Sequence, residues 1–272
     1  MARTQAGRDA TEQHRRRQVA LANRVRSEFS RLWPSWTVTD RRGFDRLVDA
    51  TLPLIESRQV ASATEASRYL AAFAMVEGAA APSVAEVSPF NRDRAAAAMY
   101  ATGQAQASRS LTAGMSPQAA RQTALVTLTG AVVRLVEDGS RQVIEDTVAE
   151  TSDVQGYMRV TGPNPCAFCA MLASRGPVYK SSALGDPMPN MPGKFASPVV
   201  GRSGRQRGSR APGEPYHDHC VCTLEPFYEG SQMPDDSRRF RDLWNESTRG
   251  ESGTDALNAF RRAHEGGFTT AA

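Results

Sequence analysis

All four cysteines of this chain fall in two short stretches, Cys166-Ala-Phe-Cys169 and His217-Asp-His219-Cys220-Val-Cys222. Two of the four histidines lie in the second stretch. Thiolate and imidazole are the ligands Zn²⁺ favours, and a C-x-x-C turn lets two sulfurs face one tetrahedral ion. The pattern therefore predicts one zinc, held by Cys166, Cys169 and a pair drawn from His217, His219, Cys220 and Cys222. The role expected for it is structural, because a catalytic zinc keeps a position open for water and so saturated a set tends to close it. Two alternatives stay open: two disulfides, in any of three connectivities, or free structural thiols. Disulfides are disfavoured by the lack of a secretory signal and by a length that can bury a core without staples. A redox C-x-x-C would need a surrounding βαβ pattern, which the flanking residues do not provide.

Enzyme chemistry finds little support. Pro165-Cys166-Ala-Phe-Cys169 matches half of a zinc deaminase signature, but that chemistry needs an upstream H-x-E. The upstream histidine, His14, is followed by Arg15 and Arg16. His264-Glu265 continues as Gly-Gly-Phe, so the H-E-x-x-H metalloprotease helix is absent. A serine protease would have to take its base from His217 or His219, which the metal claims, or from His14 or His264. The chain carries neither a G-x-S-x-G elbow nor a P-loop.

The elements that must position these ligands change in character along the chain. Residues 1–152 read as helices. Val19, Leu21, Val25, Phe29 and Leu32 form a stripe at i, i+3/i+4 spacing, which Trp33-Pro34-Ser35-Trp36 ends. Asp40 is placed to cap a second helix with Phe44, Leu47 and Val48, which Pro53 interrupts or kinks. Ser62-Ala-Thr-Glu65 has the form of a capping box opening a third helix, with Tyr69, Leu70, Phe73 and Val76 on one side. Arg92–Leu111 is alanine-rich and helical, and Ser116-Pro117 opens the run carrying Leu125, Leu128, Val132 and Leu135.

After Asp153 the texture alters. Tyr157–Val160 reads as a short strand, Thr161–Pro165 as a turn presenting Cys166 and Cys169, Ala167–Ser174 as one or two helical turns, and Pro177–Lys180 as a second strand. Residues 185–215, crowded with Gly, Pro and Ser, read as a flexible basic loop; Arg202, Arg205, Arg207 and Arg210 are its weak candidates for nucleic-acid contact. A helix around Arg238–Trp244 follows, then a weakly patterned end. The expectation is a mainly α protein: a helical domain over 1–152, a small α+β zinc-stapled module over 153–228 with its long flexible loop, and a C-terminal tail over 229–272.

Composition adds bounds. With 272 residues, 40% hydrophobic and 23% charged, the chain suits one or two globular domains. Net charge is +4, and Lys180 and Lys194 are the only lysines among 33 basic residues. No apolar run reaches the length of a membrane span. The Arg-rich N-terminus lacks the apolar stretch of a secretory signal, which implies use in the cytosol or in something assembled there.

The helical half, then R-V-T-G-P-N-P-C-A-F-C-A-M-L-A-S-R-G-P-V-Y, a variable gap, and Y-H-D-H-C-V-C-T-L-E-P together resemble the Mu F-like minor head proteins, the phage head morphogenesis family, in the form found in phages of Actinobacteria. The family pattern, C-x-x-C and then H-x-x-C-x-C, falls on Cys166, Cys169, His217, Cys220 and Cys222, and Arg159 matches a recurrent arginine. The match spans about residues 157–226. The resemblance implies a non-enzymatic virion component, assembled in the host cytoplasm and placed in the capsid interior. It further implies partners in the portal, capsid and scaffold proteins, with packaged DNA as a non-specific contact, and a docking role for 1–152. The alternative is the capsid maturation protease of the same head operon. A host zinc-ribbon DNA-binding protein is a third reading, disfavoured because the arginines are spread through a loop rather than along a reading helix.

Overall fold

The computed structural model describes residues 2–179, 199–200, 206–207, 219–220 and 222–269. The protein is mainly α, with eight helices and two small sheets among the described residues. Helix α1 runs Gln5–Leu32 and passes through a 3₁₀ turn, Trp33–Ser35, into α2, Arg41–Val76. Then come α3 (Arg92–Thr102), α4 (Gln104–Thr112) and α5 (Pro117–Glu150). Asp40 Oδ1 accepts the Gly43 N–H at 2.8 Å, and Ser116 Oγ accepts the Ala119 N–H at 3.3 Å, so both expected caps form.

Two positions expected to interrupt or open a helix lie inside one. Helix α2 passes through Pro53 and on to Val76 as one helix. Leu52 and Ile55, on either side of the proline, are both buried, and their packing outweighs the hydrogen bond that proline removes. Ser62, the expected cap, lies inside the same helix and is fully buried. Its hydroxyl donates to Gln18 Oε1 at 2.8 Å, and Gln18 Nε2 donates to the Ser62 carbonyl at 3.1 Å. The side chain that resembles a cap joins α1 to α2. Conversely, the alanine-rich run splits at Gly103, where a Cβ would lie 2.5 Å from Phe44 Cζ. The ring of Phe44 occupies the space any other residue would need.

The first core gathers α1, α2, α3, α4 and α5 around a file of rings: Phe29, Trp33, Trp36, Phe44 and Tyr100, with successive centroids 6.1, 5.1, 5.0 and 5.3 Å apart. Arg121 closes this end, donating to the carbonyls of Trp33 and Trp36 at 3.0 and 2.9 Å.

Beyond α5 the chain forms β1 (Val154–Val160), α6 (Ala167–Ala173), β2 (Val178–Tyr179), β3 (Val199–Val200), β4 (Gln206–Arg207) and β5 (Thr223–Tyr228). One sheet has the order β2-β1-β5, antiparallel throughout; β3 and β4 form a separate antiparallel pair. That pair lies within 185–215, the stretch expected as a flexible basic loop. The second core is made jointly by helices and strands: Tyr69, Leu70 and Phe73 of α2, Val143, Ile144 and Val148 of α5, Val154 of β1, and Leu224 and Tyr228 of β5. The expected domain limit at residue 152 crosses this shared core.

The segment expected as a tail holds the helix expected around Arg238–Trp244, α7 (Asp235–Ser247), and a second that was not expected, α8 (Gly253–Thr269). Phe240 and Trp244, then Ala256 and Phe260, recur at i, i+4 and close on Ala170, Met171, Leu172 and Ala173 of α6 as a third core. His264 Nε2 lies 2.8 Å from the Pro165 carbonyl, tying α8 to the turn before the C-x-x-C.

Candidate metal centre

The sheet register assembles the cysteines. Val160 pairs with Thr223 at one end of the β1–β5 ladder, so the chain leaving β1 and the chain entering β5 emerge side by side. Cys166 and Cys169 follow β1 across a short turn, while Cys220 and Cys222 lie just before β5. Cys166 caps α6, its Sγ accepting the Cys169 N–H at 3.4 Å. This is the local reason for the C-x-x-C spacing: one thiol stays outside the helix and the next turns inward.

Cys169, Cys220 and Cys222 are buried, and their sulfurs all lie within 4.8 Å of one another. Cys169 Sγ and Cys220 Sγ are 3.6 Å apart. That is well beyond a disulfide bond of about 2.0 Å. It is close to the roughly 3.8 Å edge of a tetrahedron with Zn–S bonds of about 2.3 Å. None of the four cysteines is in a disulfide, and Cys166 is exposed. The donor set fits a thiophilic divalent ion such as zinc, with three sulfurs converged and Cys166 hydrogen-bonded to Cys169.

The thiols act on one another strongly. Hydrogen bonds to Cys166, Cys220 and Cys222 hold Cys169 in its thiol form, far above the ordinary value. Cys220 moves the opposite way, held ionised by hydrogen bonds from Cys169 and Cys222 against the penalty of burial, with the Arg141 and Arg159 guanidiniums adding to the effect. Cys222 is drawn down by Cys169, but its bond to Cys220 and its burial push it up to about 12.

Around the sulfurs lie residues that spacing alone did not single out. Arg141 on α5 is buried, its Nη2 2.8 Å from Glu137 Oε2 and 3.5 Å from the Cys220 carbonyl. Burial pushes the Glu137 carboxyl up to about 7, opposed by Arg141. Arg159 on β1 is 7% exposed. A signal existed in the sequence: Glu137 and Arg141 form an i, i+4 charged pair on the buried side of α5, beside Val133, Val136 and Ile144.

His219 does not join the sulfurs. It is exposed, its backbone sits at φ 65, and its Nε2 lies 3.1 Å from the Val126 carbonyl on α5. His217 and three of the loop arginines, Arg202, Arg205 and Arg210, lie outside the described residues, and Arg207 is described only as part of β4. His14, one of the bases a serine protease would need, meets Ser140, with Nε2 and Oγ 3.2 Å apart. Both are buried, at 2% and 4% exposure, and His14 stacks on Tyr69, so the pair is sealed inside the helices. Glu225, also missed, bridges the regions: its carboxylate accepts the Ala2 N–H at 2.7 Å and the Thr11 hydroxyl at 2.6 Å.

Comparison with known proteins places these features in context. A family model described as VG15 protein matches residues 5–247. The Gene 15 protein of Mycobacterium phage D29 is 32% identical over 139 residues, a match taking in 48% of this chain and 50% of that protein. The chain thus spans about half the length of the curated relative it matches. No solved structure matches it.

Proposed function

Because the chain belongs to the VG15 protein family, we propose that it is a Mu F-like minor head protein of a tailed bacteriophage. In this reading it sits on the portal or inner capsid and assists head assembly or genome delivery without catalysing a reaction. The observation that supports the reading is the converged trio Cys169, Cys220 and Cys222, which brings one cysteine of the C-x-x-C together with both of the C-x-C in one buried cluster. Likeness to a mycobacteriophage protein agrees with it.

Cys166, Cys169 and a pair drawn from His217, His219, Cys220 and Cys222 would hold one zinc, and zinc would supply cohesion: a four-ligand ion closes the excursion between Cys169 and Cys220. Trp33, Trp36 and Phe44 would suit docking by their chemistry, but they are buried at 5%, 0% and 0% exposure, so contact with a portal falls to other surfaces. Arg202, Arg205, Arg207 and Arg210 would meet packaged DNA through phosphates alone, in a salt-dependent way.

The test uses the full-length protein, expressed with the portal and major capsid proteins of the same phage. Co-purification with portal rings or procapsids, with about one equivalent of zinc by elemental analysis, is the expected result. Recovery in neither fraction would end the head-protein reading. Defined cleavage of scaffold or major capsid protein on incubation would establish the alternative, a maturation protease.

A further inference from the structure

We infer that α8 is an exchangeable arm: it leaves the groove between its own α6 and α7 and fills the same groove of a second copy, so that two chains pair by trading α8. The inference goes beyond the head-protein reading and depends neither on it nor on a bound metal.

The seat of α8 defines what the groove accepts. Its buried stripe is Ala256, Phe260 and His264, spaced i, i+4 and i+8, while Asp255, Arg261, Arg262 and Glu265 are exposed. The Phe260 ring lies 5.4 Å from Trp244. His264 stacks on Phe260 at 5.8 Å and meets Phe240 edge-on at 5.7 Å. With Ala170, Met171, Leu172 and Ala173 of α6, these rings make a core that shares no residue with the two larger ones. His264 Nε2 adds a polar contact, 2.8 Å from the Pro165 carbonyl. Each of these contacts is made by an α8 side chain, without strand pairing or a covalent tie. The groove therefore accepts the same helix from any copy of the chain.

The hinge supplies the freedom. Residues 249–255 are all exposed, and a bond from the Glu251 N–H to the Thr248 carbonyl at 2.9 Å bends the chain there. Gly250 takes φ 83 and Gly253 φ 54, in the left-handed region that favours glycine, and a Cβ at either would meet nothing within 4 Å. Straightening this linker breaks no packing. Opening alone would leave Phe240, Trp244, Met171 and Leu172 bare, an apolar face that must be covered again. Leu257, one turn into α8, is 40% exposed when the arm is closed, and exchange brings two hinges together beside it. The family match ends at residue 247, so the arm lies outside the matched span.

Closed and exchanged forms contain the same groove contacts, so the hinge decides between them. A short linker holds the arm at an effective concentration on the order of millimolar, which keeps dilute chains closed. Reciprocal exchange fills both grooves, so the product is a closed two-fold dimer rather than a fibre. Crowded copies, or a hinge that cannot turn, should exchange.

The test uses the full chain with its hinge shortened by deletion of residues 249–252, too short a connection for a helical hairpin. At micromolar concentration its sedimentation should be that of a dimer, with α8 as protected from hydrogen exchange as in the native chain. Adding Phe260→Asp should return it to a monomer, and so should adding Trp244→Asp. Mixing those two monomers should restore a dimer, because one still offers a groove and the other an arm. Should the shortened chains fail to fold, the native protein supplies the second measurement. Two isotopically distinct native samples, mixed at millimolar concentration and then diluted, should give mixed dimers by native mass spectrometry. Gly250→Val, strained at positive φ, should lower the concentration for half-association about tenfold. A shortened chain that stays monomeric overturns the proposal, and so does a dimer that survives Phe260→Asp. Failure of the two monomers to pair, or of crowded native chains to mix, overturns it equally.

Discussion

The end of the molecule around Trp36 and the end around Cys220 are equally well buried, yet they are built from opposite materials. The first is a file of aromatic rings lined by Leu, Val and Ile, held by dispersion and apolar burial. The second packs thiols against Arg141, Glu137 and Arg159, groups whose burial is unfavourable unless their charges are matched. The contrast teaches that the aromatic end holds by apolar burial, while the cysteine end depends on matched charges beside thiols that could hold a metal ion. Between them, Phe73, Ile144 and Leu224 form a core that both ends share.

Chelation should separate the two ends most sharply. Structural zinc sites contribute on the order of 10 kcal/mol of apparent binding energy, which is also folding energy. Hydrogen exchange in β1, α6 and β5 is therefore expected to accelerate by orders of magnitude on metal removal, with α1 and α2 near Trp36 keeping their protection. Uniform loss of protection would show that the shared core makes one cooperative unit of both ends.

Phe73→Ala and Phe44→Ala, both at fully buried positions, should each cost about 3–5 kcal/mol in denaturant unfolding. They should differ in a second measurement: Phe73→Ala, in the shared core, is expected to weaken zinc binding as well, and Phe44→Ala is not. Equal effects on zinc would erase the distinction between the regions.

Acid offers a third probe. Burial holds His14 neutral, its pKa lowered to about 3, with Arg17 adding to the effect. In the unfolded chain it titrates near the ordinary imidazole value, so the unfolded state binds more protons between about pH 6.5 and 3. His14 therefore favours the fold fully above pH 6.5 and progressively less as pH falls, by as much as ~4 kcal/mol near pH 3. Glu137, raised to about 7, acts in reverse: its contribution is full below the ordinary carboxylate range and fades as pH rises through 7. Stability measured from pH 7 to 4 should fall less steeply in His14→Gln than in the native protein.

Smaller effects follow at the helix contacts. A Cβ at Gly139 would lie 2.4 Å from the Gln59 carbonyl oxygen, so Gly139→Ala should push α5 from α2 and cost about 1–3 kcal/mol in thermal unfolding. Arg16, whose side chain is 74% exposed in its pair with Glu12, should lose at most a few tenths of a kcal/mol as Arg16→Ala.

What could be read from the sequence follows the range of the forces involved. The stripes of α1, α2 and α5, the caps Asp40 and Ser116, and the two cysteine pairs are periodic or local, so their residues carry their own signal. Ser62 misled because its partner, Gln18, lies on another helix; a capping box and a bridge between helices look alike along the chain. Helix α8 was hidden by the glycines and serines around it, although Ala256 and Phe260 pack against α6. Glu225 had no spacing to betray it. Its meaning depends on Thr11 and Ala2, more than 200 residues away.

That separation also sets an order in time. As the chain leaves the ribosome, α1, α2 and α5 can pair through contacts formed early, but the face carrying Tyr69, Phe73 and Ile144 waits for Leu224 and Tyr228. Thr11, 214 residues before its carboxylate partner, waits with it. Long-range strand pairing is slow to form because its loop-closure cost comes before its contacts. A nascent chain halted before residue 223 thus presents a sticky apolar flank, the natural seat for a chaperone during synthesis.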